Sequence, residues 1–371
     1  MAKKKLLFFS IFIIIILVFV TIYNIIYKNN NIYLNNKDEA PNFISIMLEE
    51  TVGSGEYKVS KSNKWPSKGY VFNKEMSYCN NGSTLTWNEN DNSVSVNINK
   101  TDKCYVYFDI YQLTLAEYIK SQYTGTQGEN SLYYHNSTLT NGAGDNSYRY
   151  AGASDSVNNY ICLGSDATTC PDANLFRIIG VFGNQTKVIR AKSVGYQQWH
   201  TSESNTWSSS SLNAYLNGTY LTSLGTIAEK IATTTWKVGG GSGSNISASV
   251  PATAYKNEVG SSASTTIIDK KIGLMYVSDY GFAADQSAWT TKLDSYNSNT
   301  SKNWLYLGSD EWTISRDDSV TFDCAFYVNI DGYVSISSVG IGNAVRPSFN
   351  LLSSTSYVSG SGSMSDPVRI N

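Results

Sequence analysis

Charge is scarce in this chain. Asp, Glu, Lys and Arg make up 16% of its 371 residues, against roughly 25% in soluble domains. Histidine stops at two. Basic residues are not in excess: 28 Lys and Arg stand against 30 Asp and Glu, for a formal net charge of -2. The basic face that nucleic-acid binding requires is therefore missing. Six Pro and 28 Gly follow no period, which excludes a collagen-like chain. Long apolar runs are also few. Only one could span a bilayer, which excludes a multi-pass membrane protein. What is abundant is aromatic: 27 Tyr, 13 Phe and 8 Trp, or 13% of the chain. A disordered chain does not carry that load. At about one domain per 150 residues, the length suggests two folded units plus extras.

The one long apolar run is 6–27, preceded by Lys3, Lys4 and Lys5. At about 1.5 Å per residue it matches the roughly 30 Å hydrocarbon layer. A cleaved signal peptide would show a shorter apolar core and a small-residue cleavage site, and no such pattern follows Val20. The reading is an uncleaved single-pass anchor at 1–27. The lysine cluster places the N-terminus in the cytoplasm and the bulk outside the cell. Residues 28–40 are Asn-rich and read as a polar stalk ended by Pro41.

Five cysteines fit an oxidising compartment, where pairing is expected. Local spacing pairs Cys79 with Cys104 and Cys162 with Cys170, leaving Cys324 over. Cys324 reads as a small strand residue, with an intermolecular disulfide or a nucleophile as the sharper alternative. A nucleophile wants a neighbouring base. Only His135 and His200 exist, both in polar, loop-like sequence. No zinc spacing appears, so no metal site is expected from cysteine or histidine.

Residues 41–110 carry short alternating runs separated by Asn-, Asp- and Gly-rich turns, the pattern of a small β-sandwich-like module. Thr114-x-x-Glu117 is a capping-box spacing and predicts a connector helix in 111–160. Residues 174–182 and 187–191 predict a hairpin through Gly183-Asn184-Gln185. Two helices follow, one from Trp207 ending at Gly218 and one over about 222–232. The Gly/Ser-rich stretch 239–266 reads as a long loop. Apolar or alternating runs at 272–277, 304–307, 312–315, 320–330, 333–337 and 345–351 predict strands, with Asp331-Gly332 as a hairpin turn.

The order Phe176-Arg177-Ile178-Ile179, Trp207, Leu212-Asn213-x-Tyr215-Leu216-Asn217, Trp312-Thr313-Ile314-Ser315-Arg316, Asp331-Gly332 and Val345-Arg346-Pro347 resembles uncharacterised bacterial surface proteins, mostly from gut Firmicutes. Their C-terminal domain looks like the C-type-lectin-like and formylglycine-generating-enzyme-like folds, and the likeness covers about 105–371. Trp65-Pro66-x-x-Gly69-Tyr70 and Cys104-Tyr105-Val106-Tyr107-Phe108 look like the β-module these proteins carry after one membrane helix. The resemblance implies an α+β chain: an N-terminal transmembrane helix, a small all-β module, then over 161–371 a C-type-lectin-like domain with two helices and a twisted antiparallel sheet. Trp207, Trp312, Arg346 and Pro347 are its structural pattern residues. Two departures limit what it implies about chemistry. The enzyme relatives use a cysteine pair near the C-terminus, where this chain has only Cys324. The Glu-Pro-Asn calcium loop of C-type lectins is absent.

Carboxylates at 310–323 are the one cluster that could serve a glycan hydrolase, which needs two of them about 5–10 Å apart. Asp317-Asp318 reads more simply as a turn. The same residues are the only calcium candidates, and no other cofactor is implied. Trp199, Trp289, Tyr280 and Tyr296 stand in loop-like sequence and read as exposed rings, whereas Trp207, Trp236, Trp304 and Trp312 read as core. Ligand contacts are expected from the loops 315–319 and 337–343, with Arg316, Asp317, Asp318, Ser338, Asn343 and Trp289 as candidates. No catalytic set emerges. The expectation is a membrane-anchored, extracellular adhesion or binding protein for a glycan or protein ligand, with an envelope hydrolase or an assembly role through Cys324 as alternatives.

Overall fold

A computed structural model describes residues 43–60, 66, 69–88, 93–97, 101–319 and 323–371. The apolar run 6–27, the stalk 28–40, half of the Trp65–Tyr70 motif and the turn 89–92 lie outside the described residues. The chain divides into two compact units, Met1–Gln112 and Leu113–Asn371.

In the first unit, strands Phe43–Glu49 and Lys103–Ile110 run parallel at the centre of a four-stranded sheet. Tyr57–Val59 flanks the first antiparallel, and Tyr70–Cys79 flanks the second. Alternation places Ile46, Val106 and Phe108 inward, where they are buried. A separate hairpin, Thr84–Asn88 with Ser93–Asn97, adds Trp87, stacked on Phe72 at 4.9 Å. The core is thin, and the Cys79–Cys104 disulfide staples it between paired strands.

The second unit is built on a strand that is buried almost throughout, Leu175–Phe182. It pairs antiparallel with Gln185–Arg190 through the expected turn at Gly183. The sheet extends through Ser348–Asn350 and Ile272–Gly273 on one side and through Tyr160–Cys162, Val368–Ile370 and Tyr357–Ser359 on the other. At Gly180 the ladder bulges, and the backbone of Tyr148 comes so close that an added Cβ would meet its carbonyl oxygen at 2.2 Å. A second sheet orders Tyr196–Gln198, Gly342–Ala344, Glu311–Arg316, Cys324–Val328 and Val334–Ser338. Residues 113–160 belong to this unit: Thr114 caps the helix Leu115–Ser121 with a capping box, and Leu115, Ala116 and Ile119 enter the main core.

Several expectations are corrected. The described residues are mostly β, and their helices are short. The longest α-helix among them, Pro251–Glu258, has 8 residues and reaches about 12 Å, less than half of the roughly 30 Å apolar layer. No helix among the described residues is long and apolar enough to cross a membrane. The α+β fold with a transmembrane helix and the single-pass membrane location are therefore not supported. The sheets are also not purely antiparallel: Val368–Ile370 runs parallel to Tyr160–Cys162, and Glu311 pairs parallel with Ala344.

The two helices read over 207–232 form one run. Ser211–Tyr215 passes through a π-helical turn, Leu216–Tyr220, into Leu221–Ser223, so Gly218 does not end it. Asn217 explains the π turn. Its side chain donates to the Ile272 carbonyl at 2.8 Å and accepts from the Ile272 N–H at 3.0 Å, holding the widened turn to the sheet. The stretch 239–266 is not all loop, because Pro251 starts a helix at a position that suits its missing N–H. Residues 274–277 leave the strand and enter the helix Val277–Ala283.

Candidate functional site

The candidate ligand residues fall into three environments. Trp289 is fully buried against Tyr133, Phe282 and His135, and its Nε1 donates to the Ala284 carbonyl at 2.9 Å. It is a core residue, and so are Trp199, Tyr280 and Tyr296, each with its polar atom bonded to a backbone carbonyl. The local sequence is polar because these rings sit among loops, yet the loops are packed. Trp207, Trp236, Trp304 and Trp312 are buried too.

Arg316, Asp317 and Asn343 are largely committed inside the fold. Arg316 Nε donates to the Gly239 carbonyl at 2.8 Å. Asp317 is buried and accepts from the Ser319 N–H and hydroxyl at Oδ1, while its Oδ2 is buried without a hydrogen-bond partner. Asn343 is buried in strand Gly342–Ala344. Asp318 and Ser338 remain exposed. The two candidate loops are both tied to the stretch between them: the Asp317 N–H donates to the Cys324 carbonyl, and the Val339 N–H donates to the Asp323 carbonyl. Asn205, which the sequence reading overlooked, clamps this junction by donating to the Asp317 and Cys324 carbonyls. Exposed Tyr196 and Ile341 flank the neighbouring turn, which Gln198 reaches through the Gly340 carbonyl. Cys324 lies outside both disulfides and is partly buried.

The carboxylates of 310–323 do not converge. Glu311 is buried and holds Arg346 in a two-pronged pair, at 2.6 Å to Nε and 2.7 Å to Nη2. Burial pushes the Glu311 carboxyl up, and Arg346 pulls it back. Arg346 also donates to the Leu305 carbonyl at 2.5 Å. Arg177, stacked on Trp304 at 4.7 Å, reaches the adjacent Trp304 carbonyl. Two guanidinium groups thus pin the same stretch of chain. Asp310 turns elsewhere and accepts from the Ile330 N–H. Pro347 is buried beside Arg346.

A larger buried charge network had no signature in the sequence. Arg149 donates to Asp145 at 2.7 Å and to the Ser147 hydroxyl at 2.8 Å, and stands 3.6 Å from Asp279. Lys187 Nζ lies 2.5 Å from Asp279 Oδ2, which also accepts from the Tyr276 N–H at 2.9 Å. Glu258 accepts from the N–H groups of Val277 and Ser278 and from the Ser315 hydroxyl. Burial draws the Lys187 ammonium down from its ordinary value, with Asp279 opposing. Burial pushes the Glu258 carboxyl up, against its hydrogen bonds. Burial also acts to raise Asp145, but Arg149 and Ser147 outweigh it and hold that carboxyl below the usual range. His135 is buried nearby, with Nδ1 accepting from Ala143 and Nε2 unpartnered. Burial first, and Arg149 second, hold it well below its ordinary value.

One group of metal-ligand residue types converges among the described residues: Cys79, Asp102 and Cys104. The two sulfurs are joined to each other, so they are not thiolate ligands. Asp102 instead ties the turn. Burial acts to raise its carboxyl, but hydrogen bonds from Ser83, Asn81 and Lys103 bring it down to about 2.

An open groove of about 660 Å³ lies in the second unit, between the Cys162–Cys170 disulfide loop, the 226–230 turn and the C-terminal strands. Arg369 clamps its disulfide wall by donating to the Ser165, Ala167 and Thr168 carbonyls. Asp166, Thr168, Thr226, Glu229 and Asp366 are exposed along it, with Lys230 half-buried.

Residues 183–353 match a family described as "Domain of unknown function (DUF6273)". The match names neither a lectin-like nor a formylglycine-generating-enzyme-like family. No curated protein and no solved structure matches the chain.

Proposed function

We propose that Leu113–Asn371 is a recognition domain that binds a glycan or protein ligand without transforming it. The observation that carries this reading is the polar groove of about 660 Å³, a volume typical of ligand sites. Its rim mixes hydroxyls, carboxylates and one ammonium, a set suited to hydrogen-bonding a polar ligand. The inward commitment of Glu311 to Arg346 supports binding over hydrolysis, because it removes one of the carboxylates a hydrolase at 310–323 would need. The surface where 315–319 and 337–339 are both tied to Asp323–Cys324, near exposed Tyr196 and Ile341, is a second candidate face on strand ends.

A glycan and protein array probed with the chain tests the proposal. Reproducible binding that Lys230→Ala and Thr226→Ala abolish supports the groove. Binding lost instead in Tyr196→Ala and Ser338→Ala moves the site to the loop face. Silence on both arrays contradicts recognition.

A further inference from the structure

We propose that Lys187 and Asp279 condense into an intramolecular amide that cross-links strand Gln185–Arg190 to helix Val277–Ala283. Both side chains are buried, at 5% and 4% exposure, with Nζ 2.5 Å from Oδ2. Aromatic rings enclose the ammonium: Tyr276 at 4.7 Å, Trp236 at 5.3 Å and Phe182 at 5.8 Å from ring centre to Nζ. An ion pair in such surroundings is costly to desolvate. A neutral amine beside a neutral acid is less so. Amide formation goes one step further and removes both charges. Two reactants held this close react as one molecule, with effective concentrations on the order of 10⁵–10⁸ M. Exclusion of water favours the amide over its hydrolysis.

The groups around the pair match the steps. A proton passes from the Lys187 ammonium to the Asp279 carboxylate, leaving a neutral amine and a carboxylic acid. The amine lone pair attacks Cγ and the C–N bond forms. Negative charge gathers on Oδ1, which faces Arg149 Nη1 at 3.6 Å. Nζ then gives up a proton, Oδ2 takes one, and the C–Oδ2 bond breaks with release of water. The transfer of that proton is assigned to Glu258. It is anchored on the Val277 and Ser278 N–H groups next to Asp279, its charge acts on the Lys187 ammonium, and burial pushes its carboxyl up. The sum is one ammonium and one carboxylate giving one amide and one water, with no oxidant or co-reactant.

Mass spectrometry of the purified full chain, unfolded and with its disulfides reduced, tests this. The expected intact mass is one water below the value for the unlinked chain, set by a Lys187→Met variant after correction for the substitution. Trypsin should fail to cut after Lys187 and should release a branched peptide joining 178–190 to 272–292. Glu258→Gln, which leaves both partners in place, should lose most of the water-deficient species. A wild-type chain at its full mass, cut after Lys187, overturns the cross-link whether or not any variant folds. A Glu258→Gln chain linked as fully as wild type overturns the role given to Glu258.

Discussion

Replacing Arg346 with Leu removes the partner of a carboxylate that is 1% exposed. Glu311 would lose both charge-assisted bonds, and the Leu305 carbonyl would lose its donor. Breaking a buried ion pair from one side costs about 3–5 kcal/mol, because a charge is left without water or partner. For a unit of this size each kcal/mol lowers the melting temperature by roughly 2–4 °C, so a fall of roughly 6–20 °C is expected. Scanning calorimetry or denaturant titration reads it directly. A double variant, Glu311→Met with Arg346→Leu, should recover most of the loss, since the pair itself is worth little against a well-packed apolar replacement. A single variant that melts within a degree or two of wild type would refute the reasoning. So would a double variant no better than the single one.

Two further outcomes separate core from surface and titration from packing. Trp289→Ala should lower stability by about 3–5 kcal/mol in denaturant titration, whereas a surface ring would cost within about 0.5 kcal/mol. His135 is held neutral in the folded state and titrates near about 6.5 when unfolded, so its contribution is fully present above that pH and is lost as pH falls below it. A His135→Gln variant should therefore show a flatter decline in stability between pH 7.5 and 5. An unchanged slope would remove His135 from the account.

The parts of the fold legible in the sequence are those set by short-range signals. The hairpin over 175–190 has two apolar runs and a glycine turn close together. The two disulfides join cysteines 25 and 8 residues apart. Thr114 and Glu117 sit at the spacing their capping box needs. What the sequence hid was set by distant partners. Trp289, Tyr280 and Tyr296 have polar neighbours along the chain, and only the packing of separate loops buries them. Lys187 and Asp279 are 92 positions apart, and no periodicity marks a charged pair in a core. Pro251 was a readable helix start inside the Gly/Ser-rich stretch, and it leads to Glu258, the carboxylate that completes the network.

Recognition through the groove is the central claim, and one binding measurement tests it most directly. A ligand found on the arrays is titrated against wild type, Lys230→Ala, Thr226→Ala and Tyr196→Ala, with melting curves confirming that each variant is folded. The groove account predicts saturable binding that falls at least about tenfold, or 1.4 kcal/mol, in the two groove variants and is unchanged in Tyr196→Ala. Binding that ignores both groove substitutions in folded protein would contradict it.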